Sequence, residues 1–166
     1  MMERKIIDCG DGVYLRKATQ EDIDWVESHL REGDAKEHAF AEGGSDVEKF
    51  RTCWAVLADG YLVGYLGGDS LPHESAMSRR RFVFFLSTTV VERIRVKYVR
   101  KSRDVLRAFA RTAPKWVDEF VTVPLADYTG AVKWLERVLG FTRTGSCEWR
   151  GAEFLVYSIK RKELEV

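Results

Sequence analysis

Arg93, Lys97, Arg100, Arg107 and Arg111 follow one another at intervals of four, three, seven and four residues. A helix gathers such positions into one positive stripe, here interrupted by Asp104 and distinct from the apolar face of the same segment. The stripe suits phosphates, of a nucleotide or of nucleic acid, or an acidic protein partner, because Arg and Lys neutralise them without sequence-specific geometry. Arg79-Arg80-Arg81 can extend it. A solvated face balanced by the acid-rich first half of the chain is the competing reading. Just before the stripe, Ser87-Thr88-Thr89 leads into Val90 and Val91. Hydroxyls followed by the N–H groups of a helix start can bind an anion, or can simply cap the helix.

Metal and redox chemistry find no such pattern. Cys9, Cys53 and Cys147 are odd in number and far apart, and His29, His38 and His73 lack the spacing of a zinc site. A reducing, cytoplasmic setting with no metal is expected. The start, Met1-Met2-Glu3-Arg4-Lys5, runs into no apolar stretch of signal-peptide length, and the longest strongly apolar run, Phe82 to Leu86, is too short to span a bilayer. The 166 residues suit a single domain over 1–166. With 27 basic and 26 acidic side chains, net charge argues for neither nucleic acid nor membrane. Its distribution is uneven: residues 1–78 carry 8 basic and 16 acidic groups, residues 79–115 carry 12 and 2, and residues 116–166 carry 7 and 8.

These groups need a scaffold, and the hydropathy pattern supplies one. Val13 to Leu15 reads as a strand, and Thr19 caps a helix with Ile23, Val26 and Leu30 at helical spacing. Ser45 and Glu48 form a capping box for a second helix through Val47 and Phe50. Trp54–Ala58 and Tyr61–Tyr65 flank Asp59-Gly60, the signature of a hairpin with a type I′ turn. A loop over 68–80 precedes Phe82–Leu86, whose unbroken apolar run places it at a sheet centre. Thr89 and Glu92 make another capping box, opening a long helix with Val91, Ile94, Tyr98, Val105 and Phe109 on one face and Pro114 beyond its end. Phe120–Val123 is a strand, a helix capped by Asp127 or Thr129 runs to Gly140, and Thr142–Trp149 with Phe154–Ile159 form a last hairpin. The five tryptophans, Trp25, Trp54, Trp116, Trp134 and Trp149, read as packing residues, with Trp116 partly exposed. The order β-α-α-β-β-β-α-β-α-β-β implies an α/β fold with a mixed sheet and helices on both faces.

That order is similar to the GNAT acetyltransferase superfamily, with a central mixed, largely antiparallel sheet. Leu15-Arg16-Lys17-Ala18-Thr19-Gln20-Glu21-Asp22 resembles the superfamily's first strand and helix start. Ala131-Val-Lys-Trp-Leu-Glu-Arg-Val-Leu-Gly140-Phe141 resembles its late helix, which ends in Gly-Phe before the last hairpin. Phe84 to Thr89, the basic helix and Trp134-Leu135 look like a divergent GNAT-like group encoded by short-tailed bacteriophages.

The resemblance implies acetyl-CoA as cofactor, bound after the central strand by Phe85, Leu86, Ser87, Thr88, Thr89, Val90 and Val91, and an amine of a small molecule or protein as acceptor. The superfamily's glycine-rich phosphate pattern is absent, and its closest frame, Lys97 to Ser102, replaces the glycines. The family tyrosine that protonates the departing thiolate falls near Leu135 or Glu136, and the helix-start asparagine near Tyr128. Asp69, His73 and Glu74, in the loop before the central strand, are candidates for the base that an amine nucleophile requires, or else are solvated surface groups. Two functions follow: a GNAT-like N-acetyltransferase with degenerate motifs, or a non-catalytic phage structural or host-interaction protein that binds partners through the basic helix.

Overall fold

The computed structural model describes residues 5–40, 53–69, 71, 74, 75 and 77–165. In chain order it contains β1 (Ile6–Gly10), β2 (Val13–Lys17), α1 (Gln20–Ser28), α2 (Glu32–His38), β3 (Trp54–Ala58), β4 (Tyr61–Asp69) and β5 (Arg80–Ser87). A 3-10 turn over Thr89–Arg93 then leads into α3 (Arg95–Ala110). After it come β6 (Glu119–Thr122), α4 (Thr129–Lys133) continued by a π-helical turn over Trp134–Leu139, β7 (Thr142–Trp149), β8 (Ala152–Lys160) and α5 (Arg161–Leu164). The expected order is present, with β1 and α5 added at its ends.

Eight strands form one sheet in the order β1-β2-β3-β4-β5-β6-β8-β7. Every neighbouring pair is antiparallel except β5 and β6. The apolar run Phe82–Leu86 therefore lies inside the sheet, between β4 and β6. Alternating side chains divide the core between two faces. On one face Leu15, Leu66, Val83 and Tyr157 pack with Leu106 and Phe109 of α3 and with Leu139. On the other, Cys53 and Tyr65 pack with Ile23 and Val26 of α1.

Local chemistry explains most boundaries. Thr19 and Asp22 make a reciprocal capping box at the start of α1. Asp59 and Gly60 both have positive φ, 52° and 85°, as the type I′ turn between β3 and β4 demands. Gly140 closes the late helix at φ 85°, a left-handed position that suits glycine.

One expectation falls outside the described residues and two change. The helix anticipated at Ser45–Phe50 lies outside the described residues, whereas α2 sits earlier, at Glu32–His38. The Thr89–Glu92 capping box is not formed: the chain makes a 3-10 turn there, and neither that turn nor α3 has a side-chain N-cap. Of the tryptophans read as packing residues, Trp54 is buried but Trp25 and Trp149 are exposed, while Trp116 is partly exposed as expected. No helix among the described residues is long and apolar enough to cross a membrane.

Candidate functional site

The parallel pair β5 and β6 is short. Its register covers Arg80–Phe82 against Glu119–Val121, after which the strands diverge. The edge of β5 from Phe84 onward is left without β6, and a cleft of about 1130 Å³ opens beside it. Aromatic side chains, among them Phe82, Phe84, Phe85, Trp134 and Trp149, supply much of its wall. Arg31, Arg95, Asp34, Glu37, Asp69 and Glu148 are charged residues of its lining, and His38 and Tyr98 line it too.

Helix α2 supplies the polar centre, because Asp34, Glu37 and His38 are three and four residues apart and share one side of the helix. Asp34 is 5% exposed. Its carboxylate accepts the backbone N–H of Ser87 at 3.1 Å, the Ser87 hydroxyl at 3.2 Å and the Tyr128 hydroxyl at 2.7 Å. Burial raises its pKa, and these donors oppose the rise. Gly33 makes room for the ring of Tyr128: a Cβ there would lie 2.3 Å from Tyr128 Cε1. Burial, then the adjacent Asp34, holds the Tyr128 phenol well above the ordinary tyrosine range. Tyr98, which stacks on Trp134 with ring centroids 5.7 Å apart, is raised for the same two reasons.

Glu37 is the group best tuned for proton transfer. Burial pushes its pKa up to about 7, the N–H of Leu125 donating to Oε1 at 2.7 Å opposes the rise, and the Asp34 charge adds to it. A carboxylate with that pKa takes and releases protons near neutral pH. His38 lies beside it, its Nε2 3.7 Å from Glu27 Oε1, which also accepts the Tyr65 hydroxyl at 3.1 Å.

The residues expected from the sequence divide into groups. Phe85, Leu86, Ser87 and Val91 line the cleft. Thr88 does not: it is fully buried, and its hydroxyl and N–H both donate to Val63 O, at 2.9 and 2.8 Å. Thr89 N–H donates to His29 O and Val91 N–H to Thr88 O. Val90 packs at the margin of the small core under α3. Within this corner, foreseen as an anion site or a cap, Thr88 is thus bonded to β4 and Thr89 to the α1–α2 junction.

Asp69 lies at the end of β4 and lines the cleft, whereas His73 is outside the described residues. Glu74 accepts the Ser78 hydroxyl at 2.7 Å and pairs with Arg80 at 3.3 Å. Tyr128 reaches the cleft; Glu136 is exposed and accepts the Tyr157 hydroxyl, leaving buried Leu135 as the lining residue at that turn.

The basic stripe is largely neutralised. Lys97 pairs with Asp59 at 2.8 Å, Arg100 with Asp11, Arg107 with Asp104 at 3.0 Å and Arg111 with Glu165 at 3.2 Å. Arg93 stands exposed in the 3-10 turn. Two of the stripe's partners, Asp11 and Asp59, come from the acid-rich first half of the chain. The cations in the cleft are instead Arg31 and Arg95, which the stripe did not include. Asp34, Glu37 and His38 were also missed, although their spacing is a readable signal once the helix is known to start at Glu32.

No family model matches the chain, and no curated protein does so. Solved structures do. A probable acetyltransferase superposes with a TM-score of 0.70 at 14% identity, covering 96% of this chain and 98% of that one. The aminoglycoside acetyltransferase AAC(6')-Ib in complex with coenzyme A gives 0.67 at 17% identity, covering 92% and 97%. RimL, a ribosomal alpha-N-protein acetyltransferase in complex with coenzyme A, gives 0.66 at 12%, covering 94% and 98%. At these identities the likeness is one of architecture: the chain has the GNAT fold.

Proposed function

We propose that this protein transfers an acetyl group from acetyl-CoA to an amine, with Glu37 as the base that takes the amine proton. The observation that carries the reading is a carboxylate with a pKa of about 7 inside a cleft opened by the parting of β5 and β6. The residues present suit the cofactor. Arg31 and Arg95 would hold its phosphates, and the β5 edge at Phe85 offers backbone groups to its amide-bearing arm. When bound, the cofactor supplies an acetyl group activated as a thioester.

The remaining work belongs to the protein. An amine is inert while protonated, so the acceptor must lose a proton, and Glu37 can accept it at neutral pH. Glu148 and Asp69, which also line the cleft, favour a cationic acceptor. Tyr128 keeps its proton at neutral pH and donates its O–H to Asp34, so it offers the cleft an acceptor oxygen that can orient the N–H of an amine. Structural neighbours solved with coenzyme A, one of them an aminoglycoside acetyltransferase, support the same class of reaction. The alternative, a non-catalytic phage or host-interaction protein, rests on a stripe in which four of five cations are ion-paired.

The test is calorimetric titration with acetyl-CoA, followed by an acetyl-transfer assay over a panel of amines, with wild type and Glu37→Gln side by side. Binding with transfer that collapses in the variant is expected. Absence of heat at millimolar acetyl-CoA would remove the reading.

A further inference from the structure

The end of the β5 edge already has an occupant. Thr88 N–H donates to Val63 O in β4, so the preceding N–H, that of Ser87, points the other way, toward the cleft. β6 has left by then, and the α1–α2 junction takes its place. Arg31 N–H donates to Ser87 O at 3.1 Å, Thr89 N–H donates to His29 O at 3.0 Å, and the Asp34 carboxylate accepts the Ser87 N–H. The same carboxylate holds the Tyr128 hydroxyl on the far wall. One buried side chain thus bridges α2, the last residue of β5 and the residue before α4.

We infer that Asp34 competes with the cofactor for the Ser87 N–H while positioning the Tyr128 hydroxyl, so that it weakens cofactor binding and sustains transfer. The inference rests on the acetyltransferase reading and deepens it. Its physical basis is the inventory of donors. A ligand lying along the β5 edge meets the backbone groups of Phe85 first, and reaches the next cleft-facing N–H, that of Ser87, only by displacing a carboxylate. That carboxylate is 5% exposed, and buried charge of this kind is held only where several donors surround it. Here those donors are the Ser87 N–H, the Ser87 hydroxyl and the Tyr128 hydroxyl. Removing the carboxylate frees an edge donor for the cofactor and, in the same act, leaves the Tyr128 hydroxyl without the partner that fixes its direction.

The two consequences have opposite signs, which a loss of folding does not reproduce. Asp34→Ala is expected to bind CoA roughly two- to tenfold more tightly, the worth of one hydrogen bond. Its kcat for acetyl transfer should fall by about tenfold or more, as the Tyr128 oxygen that orients the acceptor amine loses its fixed direction. Tyr128→Phe should lose kcat similarly with no gain in CoA affinity, because Asp34 still holds Ser87. Asp34→Asn keeps an acceptor oxygen but no charge, so it should show a smaller affinity gain and a smaller kcat loss than Asp34→Ala. Circular dichroism melts accompany each titration, and if Asp34→Ala does not fold, Asp34→Asn and Tyr128→Phe decide. CoA affinity in the Asp34 variants equal to or weaker than wild type overturns the inference while leaving the acetyltransferase reading intact. CoA binding to no variant, wild type included, overturns both.

Discussion

Glu37 Oε1 accepts the backbone N–H of Leu125 at 2.7 Å, joining α2 to the connection between β6 and α4 across 88 residues of sequence. The bond fixes a buried carboxylate against a backbone donor instead of a cation, which is why its pKa stays high enough to serve near neutrality. Wild-type kcat/KM should rise with pH through about 7, where Glu37 loses its proton, and level off above. Glu37→Gln should lower kcat/KM by about 10²- to 10⁴-fold and flatten that limb. A pH–rate series on both proteins checks it.

The same group sets a stability trend. Its folded pKa of about 7 exceeds the ordinary 4.5, so the folded state binds the proton more tightly than the unfolded chain. The resulting stabilisation is fully present below pH 4.5 and is lost as pH rises through about 7. Gln stays neutral and can still accept from Leu125. Glu37→Gln should therefore be more stable than wild type above pH 7, by on the order of 3 kcal/mol, with the gap closing toward pH 4.5 in urea melts.

Arg95 stands at the first position of α3 and lines the cleft. Arg95→Ala should weaken CoA binding by about 10- to 100-fold, the loss expected for hydrogen bonds to a charged partner. The wild-type advantage should shrink as salt is raised from 50 to about 500 mM, because exposed charge is screened over a few ångströms at that strength. Calorimetry at the two concentrations measures it.

Gly33→Ala places a methyl group 2.3 Å from the Tyr128 ring, so the ring must move and leave Asp34. Overpacking of this sort costs about 1–3 kcal/mol. Thermal denaturation should show that loss, and acetyl transfer should fall with it.

Arg100 pairs with Asp11 on an exposed surface, with side chains 59% and 46% accessible. Arg100→Ala should change stability by less than about 1 kcal/mol, as expected for a solvated ion pair. Urea denaturation of the variant decides.

Elements governed by local chemistry were legible in the sequence. Asp59-Gly60 announces its hairpin, Thr19 its helix, Gly140 the end of another, and the unbroken run Phe82–Leu86 its place inside the sheet. What escaped notice lacks an apolar rhythm. Strand β1, Ile6 to Gly10, is half-buried at most and alternates weakly. Helix α2 has no hydrophobic face, since the one residue it buries is Asp34, so periodicity cannot find it. The site was hidden for the same reason: its central residues stand where a core side chain would ordinarily be apolar. The ion pairs of the α3 stripe were not legible either, because the partners of Lys97 and Arg100 lie 38 and 89 residues away, a distance that helical spacing does not register.

Those partners have a further property. Asp11 and Asp59 both adopt left-handed backbone, with φ of 54° and 52°, at the tips of two neighbouring hairpins. Glycine would suit that conformation better but would leave Arg100 or Lys97 unanswered; glutamate would keep the charge but sit poorly in the bend. Aspartate alone reconciles the two demands, so each tip is a position where an apparently harmless surface exchange must sacrifice either the shape of the bend or its grip on the helix.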